Sequence, residues 1–107
     1  MALLVFLAGC ISSAATFAAQ GWRVYGQGDG TCGQWTSEHY FNGNLGAKTQ
    51  NAWALGFVSG AGFAGAKISE TDPDAIRQYI SNYCRQKPLE HISDAAGRLV
   101  IDLMKRK

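Results

Sequence analysis

Residues 71–104, TDPDAIRQYISNYCRQKPLEHISDAAGRLVIDLM, decide the fold. The stretch opens on a helix start. Thr71 or Asp72 can cap, Pro73 suits the first helical position, and Asp74 places negative charge at the positive helix end. Ile76, Tyr79, Ile80, Tyr83 and Cys84 then share one face at steps of three and four. Pro88 ends that helix and is expected to begin another. In the second helix Leu89, Ile92, Ala96, Leu99 and Leu103 repeat the apolar stripe. Glu90, Asp94, Arg98, Asp102 and Arg106 step by four on a different face. The spacing predicts ion pairs from Arg98 to both aspartates and from Asp102 to Arg106, each worth a few tenths of a kcal/mol. Two amphipathic helices separated by a proline predict an all-α fold, because each needs another element to cover its apolar stripe.

Upstream, residues 50–66 (QNAWALGFVSGAGFAGA) also read as helix. Trp53, Leu55, Phe57, Val58 and Phe63 point in several directions, and a helix that is apolar all round is a buried one. Ala52, Gly56, Gly60 and Ala64 form a small-residue stripe. In a membrane such a stripe is a dimerisation face, but this run is shorter than the ~20 residues needed to span a bilayer. Close packing inside a core is the expectation. Residues 36–48 are polar and carry turn signals at Asn42-Gly43 and Asn44. A short helix or turn is expected over residues 33–40, and a glycine loop over residues 26–33. Residues 22–25 read as a short strand or an extended lead-in.

Composition narrows the class. The chain has 107 residues, is 47% hydrophobic and 17% charged, and carries a net charge of +2. One small domain fits in that length, and the chain is too apolar for intrinsic disorder. A net charge so near zero does not argue for nucleic acid. Every charged residue lies at Arg23 or beyond. Residues 1–19 (MALLVFLAGCISSAATFAA) therefore read as a secretory signal. No basic residue precedes the apolar run, so the signal is atypical or starts upstream. Small residues at Thr16 and Ala18 predict cleavage after Ala18, with residues 1–18 as the signal and residues 19–107 as a single helical domain. Leu7-Ala8-Gly9-Cys10 also matches a lipobox, in which Cys10 would carry lipid and attach the protein to a membrane. Of the three cysteines, Cys32 and Cys84 then remain as an even pair. In an oxidising compartment that pair reads as one disulfide, and otherwise as two separate buried thiols.

The chemical motifs are weak. Residues 28–33 match G-x-G-x-x-G, but a dinucleotide site also needs a following helix and a parallel sheet. His39, His91, Cys32 and Cys84 lack the close spacing of metal ligands. Ser59 lies mid-helix, outside any nucleophile elbow. These observations predict no enzyme, no cofactor and no metal. The fold class expected is a small single-domain bundle of about four helices stapled by one disulfide.

Several modest signals occur in a characteristic order: Cys32-Gly33-x-Trp35; Trp53-Ala54-Leu55-Gly56-Phe57-Val58-Ser59-Gly60; Asp72-x-Asp74-Ala75-Ile76; Tyr83-Cys84; Pro88-Leu89; and Ala95-Ala96. Across residues 31–104 this order resembles the small secreted helical proteins of the Rap/Tai immunity type, a group similar in architecture to the HdeA family of periplasmic acid-stress chaperones. The resemblance implies an all-helical domain with a Cys32–Cys84 disulfide. It also implies periplasmic binding of a protein partner; in type VI secretion systems that partner is a cell-wall-degrading amidase toxin. Three classes compete: an immunity-type binding module, an acid-stress chaperone-like protein, and an envelope lipoprotein. A second copy of the chain is a further candidate partner. For a binding module the contact surface is expected on loops, at residues 27–30 and 41–48, with Tyr40 and Phe41 as aromatic anchors.

Overall fold

The computed structural model describes residues 22–40 and 44–106. Among them the chain forms a 3-10 turn, Gly26–Asp29, and four helices: α1 (Cys32–Tyr40), α2 (Leu45–Phe63), α3 (Pro73–Gln86) and α4 (Ile92–Lys105). Residues 22–25 form neither helix nor strand and pair with no strand among the described residues.

Side-chain chemistry sets the helix starts. Asp72 Oδ1 accepts from the Ala75 N–H at 2.9 Å, and Pro73 occupies the first turn, as the sequence predicts. Asn44 Oδ1 accepts from the Gly46 N–H at 2.6 Å. That cap starts α2 at Leu45, five residues before the expected start at Gln50. Residues 45–48, expected as part of a polar loop, are therefore the first turn of α2. The last helix also departs from expectation. Residues 88–90 form a turn, and α4 starts at Ile92. The cause lies outside that helix. Thr31 and His91 form an antiparallel bridge, in which the Cys32 N–H donates to Glu90 O at 2.7 Å and the Ile92 N–H donates to Gly30 O at 2.9 Å. The bridge holds His91 extended, and its N–H donates to the Asp94 carboxylate at 2.9 Å. Leu89, expected on the buried stripe, is consequently 92% exposed.

Four helices share one core. Trp35, Cys32, Ile80, Cys84 and Ile92 are its largest fully buried side chains. Ala54 and Val58 enter from α2, Ile76 from α3, and Ala95, Ala96, Leu99, Val100 and Leu103 from α4. Cys32 and Cys84 are joined in a disulfide with Cα atoms 4.7 Å apart, linking the first turn of α1 to the last turn of α3 inside the core. The linker after α2 closes the far end. The Ser69 N–H donates to Leu103 O at 3.0 Å, and its hydroxyl lies 3.0 Å from Leu103 O and 2.9 Å from Arg106 O. These are orphan carbonyls at the end of α4.

The small-residue stripe behaves differently from the expectation. Ala52, Gly56, Gly60 and Ala64 are all exposed, and a Cβ added at Gly56 or Gly60 would meet nothing within 4 Å. Phe63 is 94% exposed. Helix α2 is thus fully buried on one face only; Trp53, Leu55 and Phe57 beside that face are partly buried and pack against the core. Trp53 and Phe57 stack at 5.3 Å, and Trp22 of the lead-in stacks on Phe57 at 5.1 Å. The Trp53 indole N–H donates to Tyr25 O at 2.7 Å, and its ring lies against Gly28. The glycine loop is therefore a packed turn, seated on an indole. Among the described residues no helix is long and apolar enough to cross a membrane. Cys10, Phe41 and the cleavage expected after Ala18 lie outside the described residues.

Candidate binding groove

Three helices present polar stripes to one another. On α1, Thr36, His39 and Tyr40 follow at i, i+3, i+4. On α2, Ala47, Lys48 and Asn51 follow at i, i+1, i+4. On α3, Arg77, Ser81 and Arg85 step by four, with Gln78 beside them. Together they line an open groove of about 640 Å³ above Trp35. Residues on one helical face lie over one another, so each stripe makes one continuous wall.

The base of the groove is cross-linked. The Trp35 indole N–H donates to Ser81 Oγ at 2.9 Å, tying α1 to α3. The His39 ring stacks on Trp35 with centroids 3.9 Å apart. His39 Nδ1 lies 2.8 Å from Trp35 O, and its Nε2 lies 2.8 Å from Asn51 Oδ1 on α2. A carbonyl only accepts, so Nδ1 carries a proton. On a neutral ring Nε2 is then an acceptor, and the Asn51 carboxamide must turn its NH₂ toward it; on an imidazolium the carbonyl orientation suffices. Either way one histidine links α1 to α2 at the groove floor. Three elements are thus held at fixed spacing by side-chain bonds, in addition to core packing.

The electrostatics are one-sided. Lys48, Arg77 and Arg85 line the groove, and no aspartate or glutamate does. Arg77 approaches Asp74 at 3.6 Å, but that carboxylate side chain is 92% exposed and lies outside the lining. Arg85 donates to Asn82, a neutral partner. No ion pair among the described residues occupies Lys48.

The opposite edge of α3 is committed to the fold. The Tyr79 hydroxyl donates to Asp102 at 2.5 Å, and Tyr83 donates to Glu90. Burial, then the hydrogen bond to Asp102, pushes the Tyr79 phenol up to about 12. Burial, then the hydrogen bond to Glu90, pushes the Tyr83 phenol up to about 12. Asp102 also takes Arg98 at 3.7 Å. Of the ion pairs expected along α4, that one forms. Asp94 instead turns back to cap His91.

The predicted site residues separate accordingly. Cys32 and Cys84 come together in the disulfide. Tyr40 is 81% exposed and lines the groove. Residues 27–30 lie mostly in the 3-10 turn, away from the groove. His39, weighed in the sequence only as a metal ligand, is a groove-floor residue, and no cluster of three or more metal-ligating side chains forms among the described residues. Of the groove cations, Arg77 and Arg85 lie two turns apart on α3, while Lys48 was expected in a polar loop and sits instead on the first turn of α2. Their mutual facing was not legible in the sequence, because it depends on how those helices pack. Comparison with protein families, curated proteins and solved structures finds no match to this chain.

Proposed function

We propose that this protein is an exported module that binds a protein partner stoichiometrically through the groove between α1, α2 and α3. The observation that carries the reading is the groove itself, an open polar concavity whose walls are pinned by the Trp35–Ser81 and His39–Asn51 contacts. A preorganised concavity with an exposed aromatic at its rim suits partner docking, since little ordering cost remains at binding. The fully buried Cys32–Cys84 disulfide supports residence in an oxidising compartment such as the periplasm. The sequence resemblance to the Rap/Tai immunity type supports neutralisation of a cell-wall-degrading toxin as the biological role.

Affinity capture from periplasmic extract on the immobilised, oxidised protein tests the reading. Thr36→Trp, which places an indole in the groove from an exposed position, serves as the matched control. The expected result is one partner captured at 1:1 stoichiometry by native mass spectrometry, and lost with Thr36→Trp. That partner should damage cells lacking this protein. Equal capture by Thr36→Trp removes the groove from the account, and hydrolysis of peptidoglycan by the purified protein removes the binding-module reading.

A further inference from the structure

We infer that the groove recognises an acidic segment of its protein partner, a run of chain carrying two or three closely spaced carboxylates. This rests on the proposed function and adds the chemistry of the contact.

The argument is the distribution of charge. The chain has ten cationic and eight anionic side chains. Three of the cations, Lys48, Arg77 and Arg85, line one groove and all eight carboxylates lie outside it. The remaining surface is thus slightly acidic, and the net positive charge belongs to the groove. Concave walls focus such a field and draw oppositely charged segments toward it. The cations also remain available. Lys48 has no ion-pair partner among the described residues, Arg85 is held by a neutral amide, and Asp74 competes for Arg77 only from solvent. Two guanidiniums two turns apart on α3 offer forked donors of the kind that grip carboxylates in pairs. Between them stand Gln78 and Ser81, and across the groove Thr36 and Asn51, which can bond a peptide backbone. A volume of about 640 Å³ matches a short peptide segment. Such a groove is a small, discrete concavity. It has one exposed aromatic, Tyr40, and lacks the long basic track and succession of stacking platforms that single-stranded nucleic acid requires.

The test is a ¹H–¹⁵N amide titration of the full oxidised protein with acetylated, amidated hexaglutamate. Hexaglutamine and hexathymidylate are run beside it. Saturable shifts confined to residues lining the groove are expected with hexaglutamate alone. Affinity should fall as sodium chloride rises, since exposed charges are screened over shorter distances. The triple variant Lys48→Gln, Arg77→Gln, Arg85→Gln should weaken hexaglutamate binding at least tenfold with an unchanged circular dichroism spectrum. Shifts scattered over the surface, no saturation, or undiminished binding by the triple variant would overturn the inference. Equal binding of hexathymidylate would replace it with general polyanion affinity. Capture of the natural partner separates the two readings. If the triple variant retains the partner and Thr36→Trp loses it, the groove binds by shape and the acidic-segment inference fails alone. If both variants retain it, the groove reading fails as well.

Discussion

Reducing the Cys32–Cys84 disulfide should bring this domain to the edge of unfolding. The two cysteines are 52 residues apart and both are fully buried. Cross-linking a loop of that length removes chain entropy worth about 4 kcal/mol from the unfolded state. A domain of this size has a total stability of roughly 4–13 kcal/mol, at the usual ~0.05–0.15 kcal/mol per residue. The staple therefore supplies between a third and nearly all of it. Reduction keeps both sulfurs in the core, so the lost entropy restraint is not confounded by a large cavity. The assay is urea denaturation followed by circular dichroism, with and without a strong thiol-free reductant, after equilibration long enough for the buried bond to be reached by unfolding. The midpoint should drop by the equivalent of about 4 kcal/mol, and the slope should rise because the uncrosslinked chain exposes more surface. A loss below about 1 kcal/mol would show that the unfolded chain is already compact around this region, and the entropic reasoning would fail. The same measurement bears on compartment: a domain that unfolds on reduction functions only where thiols are oxidised.

Four further outcomes follow from individual contacts. Gly28→Ala drives a methyl to within 2.0 Å of Trp53 Cζ2, so the turn or the indole must shift; a loss of about 1–3 kcal/mol in thermal denaturation is expected. Gly56→Ala, at a helical site with nothing within 4 Å, should gain roughly 0.5–1 kcal/mol, and a loss there would mean the exposed face of α2 is covered in solution. Ser81→Ala strips the fully buried Trp35 indole of its acceptor at 2.9 Å and should cost about 1–3 kcal/mol by chemical denaturation. In alkali, Tyr79 and Tyr83 hold their protons to about pH 12 when folded against 10 when unfolded. The folded state then binds more protons than the unfolded one, so their contribution is intact below pH 10 and is lost as pH rises to about 12. Ultraviolet titration should show a late two-tyrosine phase that disappears in Tyr79→Phe, Tyr83→Phe.

Much of the architecture was local enough to be legible. Asp72-Pro73-Asp74 starts α3 because its capping chemistry is contained in three consecutive residues. Ile76, Ile80 and Cys84 are buried as their spacing requires, and so are Ile92, Ala96, Leu99 and Leu103. The even cysteine pair foreshadowed the disulfide that joins α1 to α3. These features depend on periodicity, caps and counting, all of which are properties of a chain segment by itself.

What the tertiary structure decided depends on partners far away in the chain. Helix α4 starts at Ile92 because Gly30 and Cys32, about sixty residues upstream, claim the backbone groups at Glu90 and Ile92. Leu89 fits an apolar stripe in sequence and is bare in space for that reason. The stripe of Ala52, Gly56, Gly60 and Ala64 reads as a close-packing surface, yet the bundle closes on Ala54 and Val58 instead. Composition makes α2 apolar on several sides, and the core fully buries the side carrying Ala54 and Val58, takes Trp53, Leu55 and Phe57 partly, and leaves Gly56, Gly60 and Phe63 exposed. The groove has the same origin. Arg77, Arg85, Lys48 and Tyr40 each obey the period of their own helix, but only the packing of α1, α2 and α3 around Trp35 turns three polar faces toward one concavity. Periodicity along a chain assigns a residue to a face; the face's neighbour is chosen by the whole core.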